Sequence, residues 1–199
     1  MGRDPQPSAG VVDSQSVKST SVGGLQRGYD GGKKVKGRKR HLLVDTEGFV
    51  LKAWVHSAKV MDYEGIKTLL KRAEETFPRL RHLWLDGGYR GEDKGKDWVE
   101  KTLGWSVDLV ERARKPAPKE VLMAWAREWA KVGVALDWEK VLLPKGFQVL
   151  PRRWVVERTF SWIDKNRRMS KDYERVPESS EAFIYVAMSR LMVRRLTRS

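Results

Sequence analysis

Three carboxylates form the most chemically suggestive set in this sequence: Asp13, just after two valines; Asp86, closing the run Leu83-Trp84-Leu85; and Glu157, four residues after Arg153. Each lies more than seventy residues from the next along the chain, so only the fold can unite them. Together they would suit Mg²⁺ or Mn²⁺, hard cations that prefer oxygen ligands. Two such ions about 3.5–4 Å apart activate the attacking oxygen and stabilise the leaving one in an in-line displacement at phosphorus, with no need for a protein base. Each acid also has an ordinary structural reading. Asp13 could cap a turn, Asp86 could precede a Gly-Gly turn, and Glu157 could simply pair with Arg153 at i−4.

The elements that must position these acids can be read from pattern. After a Pro- and Gly-containing lead-in over residues 1–10, Val11 to Val17 suits a short strand with Asp13 near its middle. Ser19 to Gly37, rich in Gly, Ser and Lys, predicts a flexible loop. His41–Val44 and Phe49–Val55, separated by Asp45-Thr46-Glu47-Gly48, predict a hairpin. Asp62 to Phe77 predicts a helix with Ile66, Leu69, Leu70 and Ala73 on one face, Asp62 as N-cap and Pro78 just beyond. Leu83 to Asp86 reads as a buried strand, Asp93 to Leu103 as a helix and Ser106 to Val110 as another strand.

Val121, Trp125, Trp129 and Val132 fall at helical spacing and predict an amphipathic helix, part of an insertion around residues 116–140. Two more helices are predicted, over Arg153–Arg168 and Glu181–Leu196. At about 100° per residue, Arg153, Glu157, Ser161, Asp164 and Arg168 share one arc, with Val156, Phe160 and Ile163 on a separate apolar stripe. This order of strands and helices indicates an α/β domain with a mixed sheet flanked by helices, over residues 11–199. Adjacent first and fourth strands in that sheet would set both aspartates side by side.

The chain of 199 residues carries 40 Lys and Arg against 26 Asp and Glu, a net charge of +14 that points to a polyanionic partner, most simply nucleic acid. It has no cysteine, which excludes disulfides, thiolate metal sites and cysteine nucleophiles. Its apolar runs are too short to span a bilayer and its start is unlike a secretion signal, so a soluble, cytoplasmic protein is expected. Lys33, Lys34, Lys36, Arg38, Lys39 and Arg40 form a dense run interrupted by glycine, read as a DNA-phosphate contact against the alternative of a solvated loop. Arg152, Arg153, Arg158, Arg167 and Arg168 form a second group around Glu157. Trp84, Trp154 and Trp162 are assigned to the core, and His41, His56 and His82 show no metal-ligand spacing.

The stretches VVDSQSVKST, GYDGGKKVKGRKRHLLVDTEG, LWLDGGYRG and GFQVLPRRWVVERTFSWIDKNRRMSKDYE resemble bacterial insertion-sequence transposases of the DDE superfamily. The resemblance implies an RNase H-like fold, with Asp13, Asp86 and Glu157 as catalytic and metal-holding acids of a two-metal Mg²⁺ (or Mn²⁺) site. It also implies nicking of transposon ends, strand transfer into target DNA, nucleoid association and a homo-oligomer in the active complex. Arg153 matches an arginine of the related signature. Leu150 stands at its tyrosine position and Asp164 at its lysine position, so Lys165 or Arg168 is the candidate substitute. Only twelve residues precede Asp13, where the family usually has a further region, and a truncated chain is therefore expected. An inactive DNA-binding remnant and a metal-dependent nuclease without strand transfer stay open as alternatives.

Overall fold

Strand β1 (Ala9–Lys18) carries Asp13 and is hydrogen-bonded on both edges. The computed structural model describes residues 4–21, 24, 26–110, 119–131, 133 and 152–197. On one edge β1 pairs antiparallel with β3 (Val35–Val44), which also pairs with β2 (Gly28–Asp30) and then with β4 (Val50–Ser57). On its other edge β1 runs parallel to β5 (His82–Asp86), which runs parallel to β6 (Ser106–Val110). The first and fourth predicted strands are thus neighbours in a mixed sheet of six strands. The expected loop over Ser19–Gly37 is corrected: β2 and the start of β3 fall inside it, because Asp30 Oδ1 accepts the backbone N–H groups of Gly32 and Lys33 and closes a tight turn between them. The strand through Asp13 also starts earlier than expected, at Ala9 within the lead-in.

Alternation along the strands splits the core in two. Val12, Leu43, Leu83, Leu85 and Val107 face helix α1 (Asp62–Glu74), whose Ile66, Leu69, Leu70 and Ala73 are fully buried. Val11, Leu42, Val44, Ala53 and Val55 face α4 (Arg153–Asp164) and α5 (Pro177–Leu196) through Val155, Val156, Phe160, Ile163 and Ile184. Each large aliphatic side chain so buried contributes about 1.5–3 kcal/mol. Helix α5 also covers the outer edge of β4: Glu181 Oε1 accepts from Val55 N at 2.8 Å and the Tyr185 hydroxyl from Ala53 N at 2.9 Å, pairing edge groups that would otherwise invite another strand.

Helix α1 begins at Asp62 with Met61 as its N-cap, so Asp62 is not the expected cap. Its carboxylate instead reaches into the sheet, accepting from Ser14 Oγ at 2.8 Å and pairing with Lys39 Nζ at 2.7 Å. The helix comes this close because it presents Gly65 to the buried His41 ring, against which an added Cβ would collide. Gly65→Ala is expected to cost about 1–3 kcal/mol as overpacking, read by chemical denaturation; an unchanged midpoint would show that the ring has room to move.

Past β5 the chain forms a 3₁₀ turn at Gly87–Tyr89, a short helix α2 (Gly95–Trp98) and a π-helical turn at Val99–Leu103 before β6. Helix α4 ends at Asp164 rather than running to Arg168. Asn166 leaves helical geometry and its side-chain amide donates to the Trp162 and Ile163 carbonyls, stopping the helix. Contacts divide the chain into residues 1–110 with 151–199, and residues 111–150. In the second unit, helix α3 (Lys119–Lys131) is described; the rest of the expected insertion around 116–140 lies outside the described residues, apart from Gly133. Among the described residues no helix is long and apolar enough to cross a membrane.

Candidate active site

β1 and β5 pair through Val11↔Trp84, so two residues further along both strands Asp13 and Asp86 stand abreast. Alternation turns both toward α4, where they line one crevice with Val156 and Arg153. Arg153 NH1 lies 2.7 Å from Asp86 Oδ2, and its Nε donates to Glu157 Oε1 at 3.1 Å. The structure therefore brings Asp13, Asp86 and Arg153 together, and ties Glu157 to them through a guanidinium rather than by direct approach. Glu157 itself is exposed. Among the described residues, no three histidine or carboxylate side chains are grouped closely enough to hold one metal ion.

Asp13 is the electrostatically unusual member. Burial pushes its carboxyl from 3.8 up to about 6, with neighbouring Asp86 adding to the rise. The Ser14 backbone N–H, donating at 2.7 Å, and the charges of Arg153 and Lys33 work against it. Asp86 is oriented by the Gly88 N–H, which donates to its Oδ1 at 3.3 Å.

Behind this crevice, on the α1 side of the sheet, lies a polar network that sequence pattern did not reveal. Tyr89, from the Gly87–Tyr89 turn, sets its hydroxyl 3.3 Å from His41 Nε2, and His41 Nδ1 is 2.8 Å from His56 Nε2. Burial first, then the neighbouring imidazole, depresses His41; burial and Lys39 depress His56 despite the Ser57 carbonyl. The unfolded chain binds protons at these sites from about pH 6.5 down, whereas the folded chain resists. Their contribution is therefore complete above pH 6.5 and is lost as pH falls. We expect both rings to keep neutral-form NMR shifts at pH 5, with stability declining from pH 6.5 downward. Protonation of either ring in the folded state with a midpoint near 6.5 would contradict this.

The basic run is corrected. Arg38, Lys39 and Arg40 are buried: in β3 the arginines point to the α4–α5 side and Lys39 to the α1 side. Arg38 pairs with buried Asp172 at 3.1 Å and donates to the Gln26, Glu174 and Arg175 carbonyls; Lys39 pairs with Asp62 and Asp30; Arg40 approaches Asp164 at 3.5 Å. These three cations neutralise internal acids and are not presented to a phosphate chain. Lys33, Lys34 and Lys36 are exposed, and Lys33 Nζ donates to the Ser14 carbonyl beside Asp13. Of the second group, Arg152 is exposed and stacks on Trp84 at 4.9 Å, next to Asp86. Arg158 turns the other way, between the Trp154 and Trp162 rings with NH2 donating to the Glu47 carbonyl. Arg168 pairs with Glu174 and lies over Phe183, away from the acids. Asp164 accepts from Gln15 at 2.6 Å as well as approaching Arg40, so the lysine position of the signature is filled by an acid tied to β1 and β3.

Parallel β1 and β5 flanked by a helix bearing Glu157, beside an antiparallel β3–β4 hairpin, define an RNase H-like domain. The family model described as the transposase DDE domain matches residues 4–192, and the chain belongs to that family. Its function is accordingly of the transposase type, in a family of nucleic-acid-processing enzymes that typically use divalent metal and take DNA as partner. No individual curated protein matches the chain.

Proposed function

We propose that this chain is the catalytic domain of a DNA transposase that nicks transposon ends and transfers the freed strand to target DNA, with Asp13, Asp86 and Glu157 as ligands for Mg²⁺ or Mn²⁺. The supporting observation is the meeting of Asp13 and Asp86 in one crevice on neighbouring strands, with Asp13 buried enough to raise its carboxyl to about 6. The two carboxylates offer hard oxygen ligands that fit a divalent cation, whose charge would relieve the cost of ionising Asp13 beside Asp86. A pair of such ions would supply activation of the attacking oxygen and charge neutralisation at the leaving one.

The protein's own groups bind and orient. The Ser14 and Gly88 N–H groups orient one oxygen each of Asp13 and Asp86, while the other Asp86 oxygen is engaged by Arg153. Arg153 pairs with both Asp86 and Glu157, so a cation held by both carboxylates would have to displace its guanidinium from at least one of them. Arg152 and Lys33, from distant parts of the sequence, add positive charge beside the acids and favour the approach of a phosphate chain. We further propose that the active complex contains more than one copy of the chain, because two transposon ends must be joined.

The Arg153 bridge also fits a second reading, a DNA-binding remnant whose acids are held by the arginine and no longer catalyse. The test is to incubate the purified chain with duplexes bearing the element's ends and Mg²⁺ or Mn²⁺, beside Asp86→Asn. Asparagine keeps an oxygen for the Gly88 N–H, so the variant should fold. Metal-dependent nicking and joining by the wild type, lost in the variant, is the expected result. Equal cleavage by both would sink the catalytic assignment, and nicking without joining would limit the chain to a nuclease.

A further inference from the structure

We propose that a basic depression at the far end of β1 is a second DNA-backbone site, holding phosphates about five nucleotides from the reacting one. This inference rests on the DNA-processing reading above. Lys18, Arg27, Lys34 and Lys36 line the depression with Tyr29 and Ser19, and no carboxylate lines it. None of the four cations has an ion-pair partner among the described residues, in contrast to the buried Arg38, Lys39 and Arg40 beside them in sequence. The nearest acids are committed elsewhere: Asp30 to Ser16, Lys39 and the turn N–H groups, and Asp172 to Arg38, Ser180 and Glu174 N. Four like charges in one concavity repel one another until an anion joins them.

One further feature points to a ligand. Lys34 adopts φ +54°, a left-handed conformation that glycine takes at less cost, although Gly31 and Gly32 stand just before it in the same turn. The strained position places the Lys34 side chain on the lining of the depression.

The partner is identified by charge and reach. Lys18 is five residues along β1 from Asp13, about 17 Å at roughly 3.3 Å per residue, and marks how far along the strand the depression lies. Lys36 and Tyr29, paired across β3 and β2, lie by alternation on the same face as Asp13. A nucleic acid backbone advances about 3.4 Å per nucleotide, so one strand passing the acids can also reach this site. The exposed Tyr29 ring at its rim offers an apolar face to a sugar or base.

The test measures binding of a random-sequence DNA duplex by fluorescence anisotropy across a salt series. The variants are Lys18→Ala/Arg27→Ala/Lys36→Ala and, separately, Lys34→Gly. The triple variant should bind at least about tenfold more weakly at moderate salt, and the slope of log K against log[salt] should flatten by roughly 0.9 for each phosphate that is no longer neutralised. Lys34→Gly should weaken binding while leaving the melting temperature unchanged or higher, opposite effects that a purely structural role would not give. If the wild type binds the duplex and the triple variant matches it in affinity and slope, the second site is refuted while the catalytic reading stands. If the wild type binds no duplex at any salt, both fail.

Discussion

Replacing Asp13 with asparagine is expected to make the metal-free chain more stable at pH 8 and to abolish DNA cleavage. The stability gain follows from the raised carboxyl. In the unfolded chain it ionises near 3.8, in the folded chain near 6, so between these values the folded state holds more protons and stability falls as pH rises. Above pH 6 the full penalty is present, and the rise from 3.8 to about 6 corresponds to up to about 3 kcal/mol. Asparagine removes that penalty and keeps an oxygen for the Ser14 N–H. The activity loss follows from removing an oxygen that the proposed metal site would use: several kcal/mol of transition-state stabilisation is at least about 10³-fold in rate. Denaturation at pH 5 and pH 8 in chelator, with nicking assays alongside, reads both effects. A variant less stable than wild type at pH 8 would show that Asp13 is a structural ion-pair partner and not a strained ligand.

Asp172→Ala is expected to have the opposite character, a large loss of stability at a position remote from the chemistry. Its carboxylate and the Arg38 guanidinium are both completely buried, 3.1 Å apart, and it also accepts from Ser180 Oγ and Glu174 N. Removing one partner of a buried pair leaves an unpaired charge and costs about 3–5 kcal/mol, a large part of the roughly 5–15 kcal/mol typical of a domain. The double variant Arg38→Met/Asp172→Leu should recover much of the loss, since neither charge is then stranded. Urea unfolding distinguishes the cases: a loss under about 1 kcal/mol for Asp172→Ala would mean that water reaches Arg38. The pair joins β3 to the segment between α4 and α5, so it also helps to set α4, and with it Arg153 and Glu157, over the sheet.

The contrast between these two aspartates shows what is legible in the chain. Strand and helix periodicities are plain around Leu83–Asp86, α1 and α3, whereas the adjacency of β1 and β5 enters the sequence reading only as a condition and is supplied by the fold. That adjacency is what sets Asp13 beside Asp86. The basic run from Lys33 to Arg40 misleads because a strand buried on both faces normally reads as apolar, whereas here Arg38, Lys39 and Arg40 are neutralised by Asp172, Asp62, Asp30 and Asp164. Asp172 and Asp164 lie more than 120 residues from their arginines, and nothing local marks them as partners. Asn166 carries a readable stop signal for α4, but the apolar stripe through Val156, Phe160 and Ile163 outweighs it in the pattern. The i−4 spacing of Arg153 and Glu157 does predict their contact, while the reach of Arg153 to Asp86 depends on the fold alone.

The most direct test of the central claim is anomalous diffraction from crystals of the wild-type chain soaked in Mn²⁺. The account predicts an anomalous peak in the crevice between β1 and β5, within bonding distance of carboxylate oxygens of both Asp13 and Asp86, with Arg153 no longer paired to Asp86. A crevice without manganese, while Arg153 still bridges Asp86 and Glu157 and the ions bind only to other surface acids, would contradict it.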